Sequence, residues 1–213
     1  VPLHVDATQA VGKIPVRLDA VAVDLLSASA HKLNGPKGVG CLAIRGEPSL
    51  VPWLRGGAQE RGRRGGTHNV PGIVGFGVAC ELAEDELASR AAAAASLRDR
   101  LWSGIESKIP RVRRNGSVLH VLPNTLSVEF EGAPADVLLE ALDGDGVAVS
   151  AGAACASGAV HASHTLLAMG RSPAQARASL RFSVGLGNDE SQIDRVLAVV
   201  PDRVARVREQ AES

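Results

Sequence analysis

The sequence contains no tyrosine, three phenylalanines and two tryptophans in 213 residues. Set beside abundant alanine, valine and arginine, that scarcity is a compositional bias and assigns no function. A surplus of charge is missing too, because 23 basic side chains balance 23 acidic ones. Zero formal net charge leaves no bulk attraction to nucleic acid or to an anionic membrane. No apolar run is long enough to cross a bilayer, so no membrane association is expected. Three widely spaced cysteines fit reduced thiols better than a disulfide framework, and a cytoplasmic setting is expected. Gly35-Pro-Lys-Gly38 lacks the spacing of a phosphate-binding P-loop and reads as a turn. An initiator methionine is missing as well: the chain opens Val1-Pro-Leu-His-Val-Asp6, in what reads as a strand. Val1, Leu3 and Val5 would then lack neighbours. The expectation is therefore a fragment, or one piece of a cleaved chain that works with a separate N-terminal piece.

What is present reads as α/β. Short apolar runs at 1–5, 21–26 and 39–44 have the character of strands buried in a mixed or parallel sheet. The stretch 50–54 is ambiguous, since Pro52 argues against a central strand. From 72 to 108 the pattern predicts one long connecting helix, with Asn69 as its cap, Pro71 in the first turn and Pro110 beyond its end. Residues 109–213 alternate strand and helix as a second, smaller domain. A period-two strand, half-exposed, is predicted at 125–130, then a helix at 135–142 and a strand at 146–150. A helix at 164–169 closed by Gly170, a strand at 179–184 and a last helix after Asn188-Asp-Glu190 follow. Ile193, Val196, Leu197, Val200, Val204 and Val207 form the stripe of that last helix, and Pro201 is expected to bend it.

Chemistry concentrates at a few places. The strand at 21–26 releases Ser27-Ala-Ser-Ala-His-Lys32 into a glycine-rich turn, which brings hydroxyls, an imidazole and an amine to one mouth. An amine there can act as a Schiff-base nucleophile if desolvated, although a lysine after a strand is more often simply a surface residue. Asp6 can equally be a helix-capping aspartate. Gln9, about one helical turn later, would share its face. Cys41 in a strand and Cys80 in a helix read as small buried hydrophobes. Cys155 differs, because Gly152, Gly158 and the small residues between them make an uncrowded loop, although no activating base is named by the sequence. Arg181, between Leu180 and Phe182, suits either a bidentate carboxylate clamp or a structural ion pair. Arg55, Arg61, Arg63 and Arg64 read as a solvated basic loop. His161 and His164 have the spacing of metal ligands on one helical face, but nothing completes the set, and no metal is expected.

Four segments in order, 5–12, 27–32, 56–67 and 150–158, resemble the cysteine desulfurases, pyridoxal phosphate (PLP) enzymes of the class V aminotransferase group. The resemblance runs from Asp6 to the last helix. It implies a fold-type I PLP-dependent transferase: the end of the large mixed-sheet domain at 1–71, the helix at 72–108 and a small C-terminal α/β domain at 109–213. It also implies roles. Lys32 would carry the cofactor aldehyde, Asp6 would hold the ring nitrogen protonated, and Gln9 would bond the ring hydroxyl. Ser29 and His31 would bind the phosphate, and Thr67 the phosphate of a neighbouring subunit, so a homodimer is implied. Arg181 would clamp the carboxylate of L-cysteine, and Cys155 would take its sulfur as a persulfide for an acceptor protein. Whether that acceptor serves iron–sulfur cluster assembly or the thiolation of tRNA or DNA stays open. Ala30 departs from the glycine many members have there, a change expected to tighten packing under the cofactor. The part that precedes Val1 in relatives supplies a ring-stacking residue and further phosphate donors. Two other readings remain: a PLP lyase for selenocysteine or another β-substituted amino acid, and a non-catalytic module whose arginine-glycine segment binds an anionic partner such as RNA.

Overall fold

Half-buried and buried residues alternate along Leu25–Ser29, and that alternation settles which side of the first sheet is packed. The structure, a computed structural model, describes residues 1–20, 22–151 and 162–212. Cα packing divides the chain into two units, Val1–Arg90 and Ala91–Ser213.

In the first unit β1 (His4–Asp6), β2 (Leu25–Ser29) and β3 (Gly40–Ile44) form a sheet in that order. β1 runs parallel to β2, and β3 antiparallel to it. The strand predicted at 21–26 starts later because its ladder begins where β1 begins, with His4 opposite Leu25. Just before it, Asp24 turns its carboxylate to the Leu3 N–H at 2.7 Å. Side chains alternate across a strand. Leu26 and Ala28 are buried on one face, while Leu25, Ser27 and Ser29 are half-buried on the other. Ala28, Ala30 and Leu33 pack with Phe76, Ala79 and Ala83 of a helix, so the opposite face carries the polar residues.

A single distorted turn, α1 (Gln59–Gly62), lies in the arginine-glycine loop, with Glu60 and Arg61 in left-handed conformation. The packed helix is α2 (Val70–Asp85), capped as predicted: Asn69 Oδ1 accepts from the Gly72 N–H at 3.1 Å, and Pro71 occupies the first turn. The single helix expected over 72–108 is interrupted at Glu86, with φ −101° and ψ 7°, and resumes as α3 (Leu87–Lys108). Both cysteines expected to be buried are exposed. Cys41 lies on β3, which among the described residues pairs with β2 alone, and Cys80 falls outside the packed set of α2 residues.

The second unit has an antiparallel sheet ordered β4 (Val112–Arg114), β5 (Thr125–Phe130), β7 (Ser179–Ser183) and β6 (Ser150–Ala151). Helices α4 (Ala135–Gly144), α5 (His164–Ala168), α6 (Pro173–Arg177) and α7 (Glu190–Glu212) complete it. Leu126, Val128 and Phe130 face a core shared with Ile105, Leu138, Leu180, Val200 and Val204. Phe130 and Phe182 meet edge-on, with centroids 6.4 Å apart. The other face of β5 is less open than predicted. Glu129 is 4% exposed there, with Asn115, Ser179 and α6 over that face.

The last helix keeps Ile193, Leu197, Val200, Val204 and Val207 in the core and continues through Pro201. Proline has no N–H for the carbonyl four residues back, here Leu197. Lys108 Nζ donates to that carbonyl at 3.2 Å, which satisfies the acceptor the proline leaves open.

Candidate active site

Parallel strands end at the same edge of a sheet. Asp6, the last residue of β1, therefore lies opposite Ser27 near the end of β2, and Ser29 is two residues further on the same face. A 3-10 turn, Ala30–Leu33, follows immediately and carries His31 and Lys32, both exposed. Ala30 and Leu33 are only 0% and 6% exposed, so the first and last residues of this turn anchor it and the two between them present the imidazole and the amine. The Ala30 methyl sits inside the apolar cluster under the turn. Asn34, at φ 64°, ends the turn, and the Gly35 N–H bonds the Ala30 carbonyl at 2.9 Å.

Asp6 is held as an acceptor. The Thr8 N–H donates to its Oδ1 at 2.9 Å, the Asx-type turn that aspartate favours at a strand end. The Thr8 hydroxyl first, then the Thr8 N–H, then Ser27 and the His4 charge hold its carboxyl below the ordinary aspartate range. His4 Nε2 and Ser27 Oγ are 3.2 Å apart on the same face. His4 and Thr8 were not singled out from the sequence. The available signals were period two along the strand for His4 and the Asp-x-Thr turn pattern for Thr8. Gln9 lies in the turn after β1 and is exposed, so its relation to Asp6 comes from that turn rather than from one face of a helix.

Thr67 is exposed in the loop that leads to α2. In the same loop His68 Nε2 and Glu60 Oε1 meet at 2.9 Å. Arg181, in the other unit, is half-buried on β7, flanked by the buried Leu180 and Phe182. Its Nη2 donates to Ser150 Oγ at 3.5 Å, while its buried Nε has no acceptor among the described residues. A buried guanidinium donor without a partner is costly, and a substrate carboxylate would supply what it lacks. Partial desolvation by neighbouring groups pushes the Cys41 and Cys80 thiols up although both are exposed, which disfavours the nucleophilic thiolate at both. Cys155 and His161 lie outside the described residues. Among the described residues no cluster of three or more histidine, cysteine or carboxylate side chains is arranged to hold a metal.

A parallel strand pair that delivers a carboxylate, hydroxyls and a lysine-bearing turn to one edge, followed by a second α/β unit, is the architecture of the fold-type I PLP-dependent transferases. The chain belongs to the aminotransferase class-V family, whose model matches residues 1–196. It is 46% identical over 206 residues to a cysteine desulfurase of Sinorhizobium fredii (strain NBRC 101917 / NGR234), covering 97% of this chain and 53% of that protein. It is 45% identical to a cysteine desulfurase of Gluconacetobacter diazotrophicus, covering 97% and 52%. Among solved structures, a NifS-like protein superposes with a TM-score of 0.85 at 38% identity, covering 96% of this chain and 53% of the other. A NifS-like protein from Rickettsia africae gives 0.87 at 27% identity, covering 96% and 54%. The chain thus spans about half the length of the relatives it matches.

Proteins of this family depend on PLP, and the donor set at the mouth fits that group. An ionised acceptor at Asp6 suits a protonated ring nitrogen, an exposed amine at Lys32 suits an aldehyde, and Ser29 and His31 offer donors to a phosphate.

Proposed function

We propose that the protein containing this chain is a PLP-dependent cysteine desulfurase that converts L-cysteine to L-alanine and passes the sulfur on from Cys155. The observation that carries the reading is the arrangement of Asp6, Ser29 and the Ala30–Leu33 turn at adjoining ends of two parallel strands, with His31 and Lys32 exposed while Ala30 and Leu33 pack on α2. When bound, the cofactor supplies an electron sink for the bonds at the substrate Cα. Lys32 would hold the aldehyde, and its amine, when free, would take the proton from Cα. Asp6, kept ionised by Thr8, Ser27 and His4, would face the ring nitrogen and favour its protonated form. Gln9 would bond the ring hydroxyl, while Ser29 and His31 would hold the phosphate. Arg181 orients the substrate by its carboxylate through the Nε donor that has no acceptor among the described residues. Cys155, as thiolate, attacks the substrate sulfur: an S–S bond forms, the C–S bond breaks, and the sulfur remains as a persulfide on Cys155.

The active species on this reading is a homodimer, with Thr67 reaching the phosphate site of the neighbouring subunit. The persulfide is handed to an acceptor protein in the cytoplasm. No helix among the described residues is long and apolar enough to cross a membrane. The test is alanine release from L-cysteine by the Cys155→Ser protein. The reading expects release to collapse and the persulfide to vanish. Release at the wild-type rate would refute it.

A further inference from the structure

The turn after β1 grips the turn that carries Lys32. Lys13 is half-buried, and its Nζ donates to the Lys32 carbonyl oxygen at 3.4 Å. Its neighbour Gly12 has φ +73°, and a Cβ there would stand 2.4 Å from Leu33 Cδ2 and 3.2 Å from Ala83 Cβ. Two consecutive residues, Gly12 and Lys13, therefore press on two consecutive residues, Leu33 and Lys32.

Such support has a physical reason. The last carbonyls of a short helical turn have no donor within the turn, and 3-10 geometry makes poorer hydrogen bonds than an α-helix. The Lys32 carbonyl is one of these open acceptors. Left to water, it would allow the peptide plane beside the reacting lysine to rock. A charged donor makes a stronger bond than a neutral one. We propose that Lys13 is a positioning residue for Lys32, clamping its carbonyl so that the amine leaves a backbone of fixed orientation. This rests on the reading of Lys32 as the cofactor lysine. Burial and the Lys32 charge lower the Lys13 pKa, as befits an amine drawn into the fold rather than left in water. The gain is orientational, since an amine held near the line of attack on an aldehyde reacts faster than one on a mobile turn.

The experiment compares the full protein with its Lys13→Met, Lys13→Gln and Lys13→Arg variants by two readouts. The first is hydrogen exchange at the 33–35 amides in protein freed of cofactor. The second is the rate at which added PLP becomes fixed by borohydride, with the modified lysine located by peptide mass. Loss of a charge-assisted bond predicts about fivefold faster exchange and about fivefold slower capture at Lys32 in Lys13→Met, with the arginine variant restoring both. Lys13→Gln, polar but too short to reach the carbonyl, gives the same result if the methionine variant does not fold. Unchanged exchange and capture in a folded Met or Gln variant would overturn the proposal. So would wild-type capture on Lys13 instead of Lys32. Faster exchange in the variants, with no capture on either lysine in the wild type, supports the clamp while removing the cofactor reading.

Discussion

Replacing Gly12 with alanine tests how tightly the two turns are joined. At φ +73° an alanine pays for a left-handed conformation, about 1–2 kcal/mol. Its methyl would also fall 2.4 Å from Leu33 Cδ2, far inside the contact distance of about 3.5–4.0 Å. Leu33 is only 6% exposed and packs with Phe76 and Ala79, so it cannot swing aside without opening the cluster. Overpacking of this kind costs about 1–3 kcal/mol. The stiffer unfolded chain returns about 0.4–1 kcal/mol. The net loss is about 2–4 kcal/mol, read as a lower urea midpoint by circular dichroism. Gly38→Ala is the control, because Gly38 has a similar φ of +80° with nothing within 4 Å of its added Cβ. It should lose only the conformational part less the same unfolded-state return, about 1 kcal/mol. Equal losses at the two positions would refute the contact between the turns.

Lys108→Met should cost about 1 kcal/mol in unfolding free energy, because the Leu197 carbonyl opened by Pro201 loses its donor. A neutral result in thermal unfolding would show that water serves that carbonyl equally well. Arg203 donates to Asp145 at 2.6 and 2.7 Å and, chiefly by those bonds, holds its carboxyl below the ordinary range. A depressed folded pKa gives stability that is present above about pH 3.9 and lost as pH falls through the lower folded value. Asp145→Asn should therefore flatten the acid end of the stability profile and leave its shape near neutrality unchanged; an unaltered acid limb would contradict this. Arg181→Lys should lower kcat/KM for L-cysteine by about 30-fold through loss of two-pronged carboxylate binding, and an unchanged value would exclude Arg181 as the clamp.

How much of this was legible in the sequence depended on the range of the interactions involved. The strand at 125–130 and the stripe of the last helix were readable because period two and period 3.6 report local burial directly. That the helix runs on past Pro201 followed from the same stripe, but the donor that satisfies Leu197 did not, since it is Lys108, 89 residues away. The strand at 25–29 was placed too early because apolar character begins at Val21, whereas pairing begins only at Leu25. The break at Glu86 left no mark in a helix-favouring sequence. β4 is three residues long, too short for periodicity to register. Helix α6 was missed although Ser172 and Gln175 form a readable capping box. At the site, Asp6, Ser29, His31 and Lys32 were found as motifs, and register shows why they share an edge. Lys13 escaped notice because its partner is a backbone carbonyl, which no motif encodes.

The central claim is that Lys32 receives the aldehyde of the cofactor. Borohydride reduction of the PLP-loaded full protein, followed by peptide mass mapping, tests it most directly. A single pyridoxyl adduct on Lys32, absent from the Lys32→Ala protein, is the predicted result. An adduct on another lysine, or none at all, would contradict it.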